Sequence, residues 1–144
     1  MSATNAFETA LLTLYFNNTD HANVGDAAGV QNSAAAGSFY ISLHTADPTE
    51  TGTQTSSEAT YTSYARVAVA RSGAGWTISG NNASNAAAIN FPACTGGTNT
   101  ITHFGIGSDA SGAGNLFFKG ALGASLAVSS GITPSFAIGE LDVN

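Results

Sequence analysis

Phe39-Tyr40-Ile41-Ser42-Leu43-His44 alternates apolar and polar side chains at every step. A period of two puts Phe39, Ile41 and Leu43 on one face and Tyr40, Ser42 and His44 on the other, the signature of a half-buried strand. Asp47-Pro48 ends the run, because proline has no N–H to offer a ladder. Strand signals then recur in short segments, at residues 64–70, 76–79, 86–91, 100–106, 116–119, 126–128, 134–138 and 140–143. Between them lie Gly- and Asn-bearing stretches such as Ser72-Gly73-Ala74-Gly75 and Gly80-Asn81-Asn82, which supply the positive φ of tight turns. Short strands with no helices between them pair antiparallel, since parallel strands need long crossovers. The expected fold is therefore all-β: an antiparallel β-sandwich, jelly-roll-like. Its core candidates are Phe39, Ile41, Leu43, Val67, Val69, Trp76, Ile78, Ile89, Phe91, Phe104, Ile106, Leu116, Phe118, Phe136, Ile138 and Leu141.

Upstream of this stretch the period changes. Phe7, Leu11, Leu14 and Tyr15 recur at i, i+4, i+7 and i+8, which predicts a helix with one apolar face. Asn5 followed by Glu8 has the spacing of a capping box. Residues 17–37 are rich in Asn, Ala and Gly without periodicity and read as a long loop or arm. The expected organisation is a helix and arm at 1–37 and a β-sandwich at 38–144. Residues 49–62, rich in Thr, Ser and Glu, read as a second, exposed loop.

Composition narrows the function. Of 144 residues only 8% are charged, and nine acids against three bases give a net charge of −6. Nucleic-acid binding is excluded as an expectation, because it needs a row of Lys or Arg to displace counterions. A membrane span is excluded too: the most apolar run, Ala10-Leu11-Leu12-Thr13-Leu14-Tyr15-Phe16, falls far short of the ~20 residues required. Met1-Ser2-Ala3-Thr4 lacks the basic and apolar segments of a secretory signal. Cys94 is the only cysteine, so no intrachain disulfide can form.

Catalytic and ligand motifs are sparse. Gly105-Ile106-Gly107-Ser108-Asp109-Ala110 matches a loose dinucleotide pattern, but Ser111-Gly112-Ala113-Gly114 and another strand follow where a helix is needed. Gly123-Ala124-Ser125-Leu126-Ala127 lacks the closing glycine of a nucleophile elbow. His21, His44 and His103 show no triad spacing, and His44 and His103 in strands read as hydrogen-bonded structural histidines. Asp47, Glu50 and Glu58 could act as paired carboxylates only if loops brought them together. Asn18, Asp20, Asn23 and Asp26 place oxygens in one loop, but Ala22 and Val30 break the EF-hand pattern. No catalytic residue, metal or cofactor is expected. Arg66, Arg71 and Lys119 are the only cations, and each should have an acidic or carbonyl partner. Arg66, whose planar fork suits a carboxylate, joins Phe7, Leu11, Leu14, Tyr15, Tyr40 and Tyr64 as the candidate interface set.

Four ordered phrases resemble a family of small tailed-bacteriophage structural proteins commonly labelled tail fibre proteins. They are Leu43-His44-Thr45-Ala46-Asp47-Pro48, Tyr64-Ala65-Arg66-Val67-Ala68, Thr102-His103-Phe104-Gly105-Ile106, and the end running from Gly120-Ala121-Leu122 through Ser129-Ser130-Gly131-Ile132-Thr133-Pro134-Ser135-Phe136. The resemblance implies a virion component assembled in a bacterial cytoplasm, and brings no catalytic residues.

Two roles follow as expectations. Fibre shafts usually show repeats, and no self-similar period occurs here. Neutral strand faces, poor in the Lys and Glu that blunt free edges, suggest a surface covered in an assembly. The first expectation is a capsid decoration or cement protein, a trimer or dimer bridging the major capsid protein and other virion proteins. The alternative is a tail fibre or tail-tip module that contacts the host surface.

Overall fold

The computed structural model describes residues 1–144. One helix, α1 (Asn5–Asn17), precedes nine strands: β1 (Ser38–His44), β2 (Val67–Ala70), β3 (Trp76–Ser79), β4 (Asn82–Asn85), β5 (Ile89–Asn90), β6 (Asn99–Gly107), β7 (Leu116–Val128), β8 (Ser135–Phe136) and β9 (Asp142–Val143). They form a four-stranded sheet in the order β2-β1-β6-β7, a three-stranded sheet β3-β4-β9 and a two-stranded sheet β5-β8. The all-β, antiparallel, sandwich-like class with a short N-terminal helix is the one expected. The chain makes two compact units, one of Met1–Ser38, Ala70–Ala88 and Phe136–Asn144, the other of Phe39–Val69 and Ile89–Ser135.

In the first unit, the cap of α1 is Thr4, one residue before the expected Asn5. Thr4 is extended (φ −88, ψ 151) and its hydroxyl accepts the Phe7 N–H, satisfying an orphan donor of the first turn. Asn5 is instead already helical. Asn18 ends the helix in the left-handed region (φ 52, ψ 42), which asparagine tolerates. The buried side of α1 differs from the Phe7-Leu11-Leu14-Tyr15 stripe. Phe16 is fully buried, its ring 4.7 Å from that of buried Trp76. One turn back along the same side, Thr13 Oγ1 donates to Thr9 O at 2.7 Å, and Thr9 Oγ1 lies 2.6 Å from Gly80 O. Small hydroxyl residues let the helix backbone approach β3 and β4, and larger side chains are left to the outer face.

Residues 17–37 are not a free arm. His21 and Val30 exchange backbone hydrogen bonds at 3.0 and 2.9 Å, closing a hairpin-like loop. Gly29 (φ +69) makes that closure sterically allowed, because a Cβ there would lie 2.0 Å from His21 O. Beyond it, β3 and β4 pair from Trp76↔Asn85 to Ser79↔Asn82 across a Gly80-Asn81 turn. Residues 82–85, expected to begin as turn, are a strand because Asn85 acts as a core residue. It is 1% exposed, donates to Ala137 O at 2.8 Å and accepts the Leu141 N–H at 2.9 Å.

In the second unit, β1 and β6 pair from Tyr40↔Gly107 to His44↔His103. Phe39, Ile41, Leu43, Ile101 and Ile106 are buried; each contributes about 1.5–3 kcal/mol relative to exposure. The expected half-buried pattern of β1 fails at its end, where Ser42 and His44 are also fully buried. Along β6 and β7 the register jumps: Ile101 faces Leu126 but His103 faces Ala121. Thr102 thus opposes Leu122-Gly123-Ala124-Ser125, a four-residue excursion of β7. A second shift, between Ile106↔Phe118 and Gly107↔Leu116, leaves Phe117 as a bulge residue. Of the expected core, Ile138 is instead 70% exposed, and Val67, Ile78, Phe104, Leu116 and Phe118 are only partly covered. Phe16, Ala59, Tyr61, Ala83, Cys94 and Val128 take buried places that were not expected.

Candidate functional site

The cations are so few that each can be traced. Arg66 lies on the segment entering β2, with its side chain 2% exposed, and Glu58 opposite it is 15% exposed. Arg66 Nε donates to Glu58 Oε1 at 2.7 Å and Nη2 to Oε2 at 2.8 Å. The same guanidinium donates to Asp109 O and Gly112 O, both at 2.8 Å. Two loop carbonyls and one carboxylate thus take up four of the five fork donors, and the hydrogen bond to Glu58 raises the guanidinium pKa further. Tyr64 closes the cluster, donating its hydroxyl to Glu58 Oε1 at 2.9 Å and accepting the Leu43 N–H at 3.0 Å. Burial, reinforced by Glu58, raises its pKa strongly. Tyr64 and Arg66, both in the candidate interface set, are thus engaged inside the unit.

Next to this cluster, His44 Nδ1 lies 2.8 Å from Ser56 O, and Nε2 lies 2.8 Å from Ser42 Oγ. A carbonyl only accepts, so Nδ1 carries the proton and Nε2 accepts from the serine hydroxyl. Burial lowers the His44 pKa, which keeps the ring neutral. The arrangement resembles a Ser–His pair, but it is sealed: both residues are 0% exposed. A Cβ on Gly105 would lie 2.8 Å from both Ser42 Oγ and His44 Nε2. The glycines of the loose dinucleotide motif have this packing role. Gly107 likewise gives room to Gln54, whose Cδ would be 2.2 Å from an added Cβ.

Gln54 shows that residues 49–62 are a pinned segment. It is fully buried, and its Oε1 accepts the Asp109 N–H at 2.9 Å. Tyr61 donates to Pro92 O at 3.0 Å, and burial pushes its pKa up to about 12. The expected exposed loop is corrected accordingly. Gln54, Glu58 and Tyr61 point inward, while Thr49, Glu50, Thr51 and Thr55 remain outside.

Lys119 on β7 joins two of the candidate carboxylates. Its Nζ lies 3.0 Å from Asp47 Oδ1 and 3.1 Å from Glu50 Oε1. The Thr49 N–H and then Lys119 hold Asp47 below the ordinary carboxylate range, and the two carboxylates raise the Lys119 pKa. A cleft of 140 Å³ opens here, lined by Thr49, Glu50, Gly52, Leu116, Phe117, Phe118 and Lys119. Glu58, the third candidate carboxylate, is elsewhere with Arg66.

In the first unit, Arg71 meets the C-terminal end of α1. It donates to Tyr15 O at 2.7 Å, Leu14 O at 3.2 Å and Ala36 O at 3.1 Å. The Leu14 and Tyr15 carbonyls are orphan acceptors at the negative end of the helix dipole, so a cation from outside the helix completes it and ties it to Ala36 of the following loop. Phe7, Leu11 and Tyr15 stand 44%, 43% and 36% exposed, in a row on the outer face of α1, and Leu14 is partly covered. Tyr40, on β1 of the other unit, is also partly covered. The 18–26 oxygens serve the loop itself: Asp26 Oδ1 accepts the Ala28 and Gly29 N–H groups, and Asp20 Oδ1 accepts that of Asn32. Cys94 is buried, its thiol 3.2 Å from Gly96 O.

No helix is long and apolar enough to cross a membrane. No curated protein matches the chain. A family model does, over residues 2–144, and its description is Podophage GP4 fiber I protein gp80. Spanning nearly every residue of both units, this match places the chain in that family of phage fibre proteins, as a structural component of the virion.

Proposed function

We propose that this chain is a tail-fibre module that presents a neutral, hydroxyl-rich surface to the host cell. The observation that carries the reading is the match to a fibre family over residues 2–144. That match favours the tail over the capsid-cement role expected first from size and scarce charge. The chemistry of the surface agrees: Thr49, Thr51, Thr55, Thr60 and Thr62 are exposed on one pinned segment, held by Gln54, Glu58 and Tyr61. Rigid elements that display polar groups suit recognition. The role is non-catalytic, in keeping with the sealing of Ser42 and His44 beneath Gly105. Assembly with further copies of the chain runs through the outer face of α1, where Phe7, Leu11 and Tyr15 form an i, i+4, i+8 row.

Labelled particle imaging tests the location. Antibody against the purified chain should decorate the tail of intact virions, and gel densitometry should give a low copy number per particle. Decoration of the capsid with hundreds of copies would overturn the tail reading in favour of the cement role.

A further inference from the structure

We propose that His44 is an acid-operated latch: protonation of its ring lifts residues 55–57 off β1 while the sheet beneath stays paired. These residues form a short strap across the end of β1. His44 Nδ1 donates to Ser56 O at 2.8 Å, and the Thr45 N–H donates to Ser57 O at 2.8 Å. The strap is anchored on both sides, by Gln54 Oε1 accepting the Asp109 N–H and by Glu58 on Arg66. Between those anchors Thr55 and Ser57 face water. Ser57 has φ 53, a left-handed conformation that costs a non-glycine residue free energy. The rest of the cover over the imidazole, Ser42 and Gly105, belongs to β1 and β6, which pair with each other. The strap is therefore the part that can open locally.

The closed site accepts only the neutral ring. Nε2 takes the Ser42 hydroxyl proton at 2.8 Å, and Nδ1 already holds its own proton against Ser56 O. A second proton on Nε2 would set donor against donor. The serine would have to turn its hydroxyl away, in a site where both residues are 0% exposed. The charged and titratable neighbours are Glu58 beside the strap, Arg66 on the segment entering β2 and His103 opposite on β6. Glu58 alone would stabilise an imidazolium, and it is already committed to Arg66 and to the Tyr64 hydroxyl. Arg66 repels the new charge. Burial is the largest influence, and it also disfavours the charged ring. Lifting the strap lets water reach the ring, so the open form takes the proton at the ordinary 6.5 and the closed form only at lower pH. Closure is complete above pH 6.5 and is lost as pH falls from there, the sign expected of a histidine buried neutral.

The latch belongs to the chain itself and holds whether the particle carries it on the tail or on the capsid. Amide exchange on the ¹⁵N-labelled full chain at pH 7.5 and pH 5.5, each rate corrected for the intrinsic effect of pH, tests it. Protection at Thr45 should fall by roughly threefold or more at pH 5.5. Phe91 and Cys94, whose amides donate to Pro134 O and Ile132 O in the same unit, should keep theirs. The His44 ring nitrogens should titrate over the same range. His44→Gln should abolish the fall at Thr45, and His103→Gln should retain it. Ser42→Ala removes the hydrogen bond that favours the neutral ring, so it should move the opening to higher pH; it serves if His44→Gln does not fold. Constant protection at Thr45, or an equal loss at Phe91 and Cys94, would overturn the latch. So would a fall that survives in His44→Gln or vanishes in His103→Gln, or an opening unmoved in Ser42→Ala.

Discussion

Glu58 grips Arg66 with both carboxylate oxygens, at 2.7 Å from Nε and 2.8 Å from Nη2, in a setting where the arginine side chain is 2% exposed. Removing one member leaves the other charged and buried, which typically costs about 3–5 kcal/mol. Glu58→Ala and Arg66→Met should each lower the urea midpoint by a corresponding amount. Arg66→Lys should rescue little, because an ammonium cannot reproduce the planar fork to Glu58, Asp109 O and Gly112 O. The double variant Glu58→Ala/Arg66→Met should lose much less than the sum of the single losses. Additive losses would show that the pair is not coupled.

His44 makes stability depend on pH with a defined sign. Burial depresses its folded pKa below the ordinary 6.5, so the unfolded chain binds the proton more tightly. The His44 contribution is therefore complete above pH 6.5 and declines as pH falls from there toward the folded pKa. Urea unfolding at pH 7.5 and at pH 5 should show the lower value at pH 5. In His44→Gln the difference between the two should shrink. An unchanged difference would assign the dependence to other groups.

Gly29 and Gly25 give a matched pair within one loop. Both have positive φ, but a Cβ at Gly29 meets His21 O at 2.0 Å, whereas at Gly25 nothing lies within 4 Å. Gly25→Ala should cost about 1 kcal/mol from its backbone conformation alone. Gly29→Ala should cost clearly more and open the His21–Val30 pairing. Faster hydrogen exchange at the Val30 amide, with the Trp76 amide unaffected, would be the signature.

The outer face of α1 is tested by its own position. Leu11 is 43% exposed, so Leu11→Glu should change monomer stability by no more than about 0.5 kcal/mol. If copies associate through this face, sedimentation velocity should show the variant shifted to a smaller species than the parent chain. Equal sedimentation of the two would remove α1 from the interface.

Much of the fold was readable because apolar periodicity reports it. The Trp76–Ser79 strand matches its expected limits, and β1 announces itself through Phe39, Ile41 and Leu43. Signals failed where polar or small residues turn inward. β4 was hidden because its inner positions are Ala83 and Asn85, and the partners of Asn85 are about fifty residues away. The burial of Gln54 and Glu58 was invisible for the same reason: Asp109 and Arg66 are known as their partners only once the chain is folded. On α1 the largest side chains draw the eye to one stripe, yet the sheet accepts Thr9, Thr13 and Phe16. The scarcity of charge was informative. Arg66, Arg71 and Lys119 all have the acidic or carbonyl partners expected of them, but only the fold could reveal that Asp47 and Glu50 share one lysine.

The detour of β7 opposite Thr102 has a bearing on how copies can coexist. β7 closes one side of its sheet, and an uninterrupted outer strand with a single lysine would be an open template for zippering with a neighbour. Because Leu122-Gly123-Ala124-Ser125 steps out of line, a second chain laid along it loses step after a few residues and finds no continuous ladder. Geometry here does what lysines do on the flanks of other sheet proteins, breaking the ladder that an incoming strand would need.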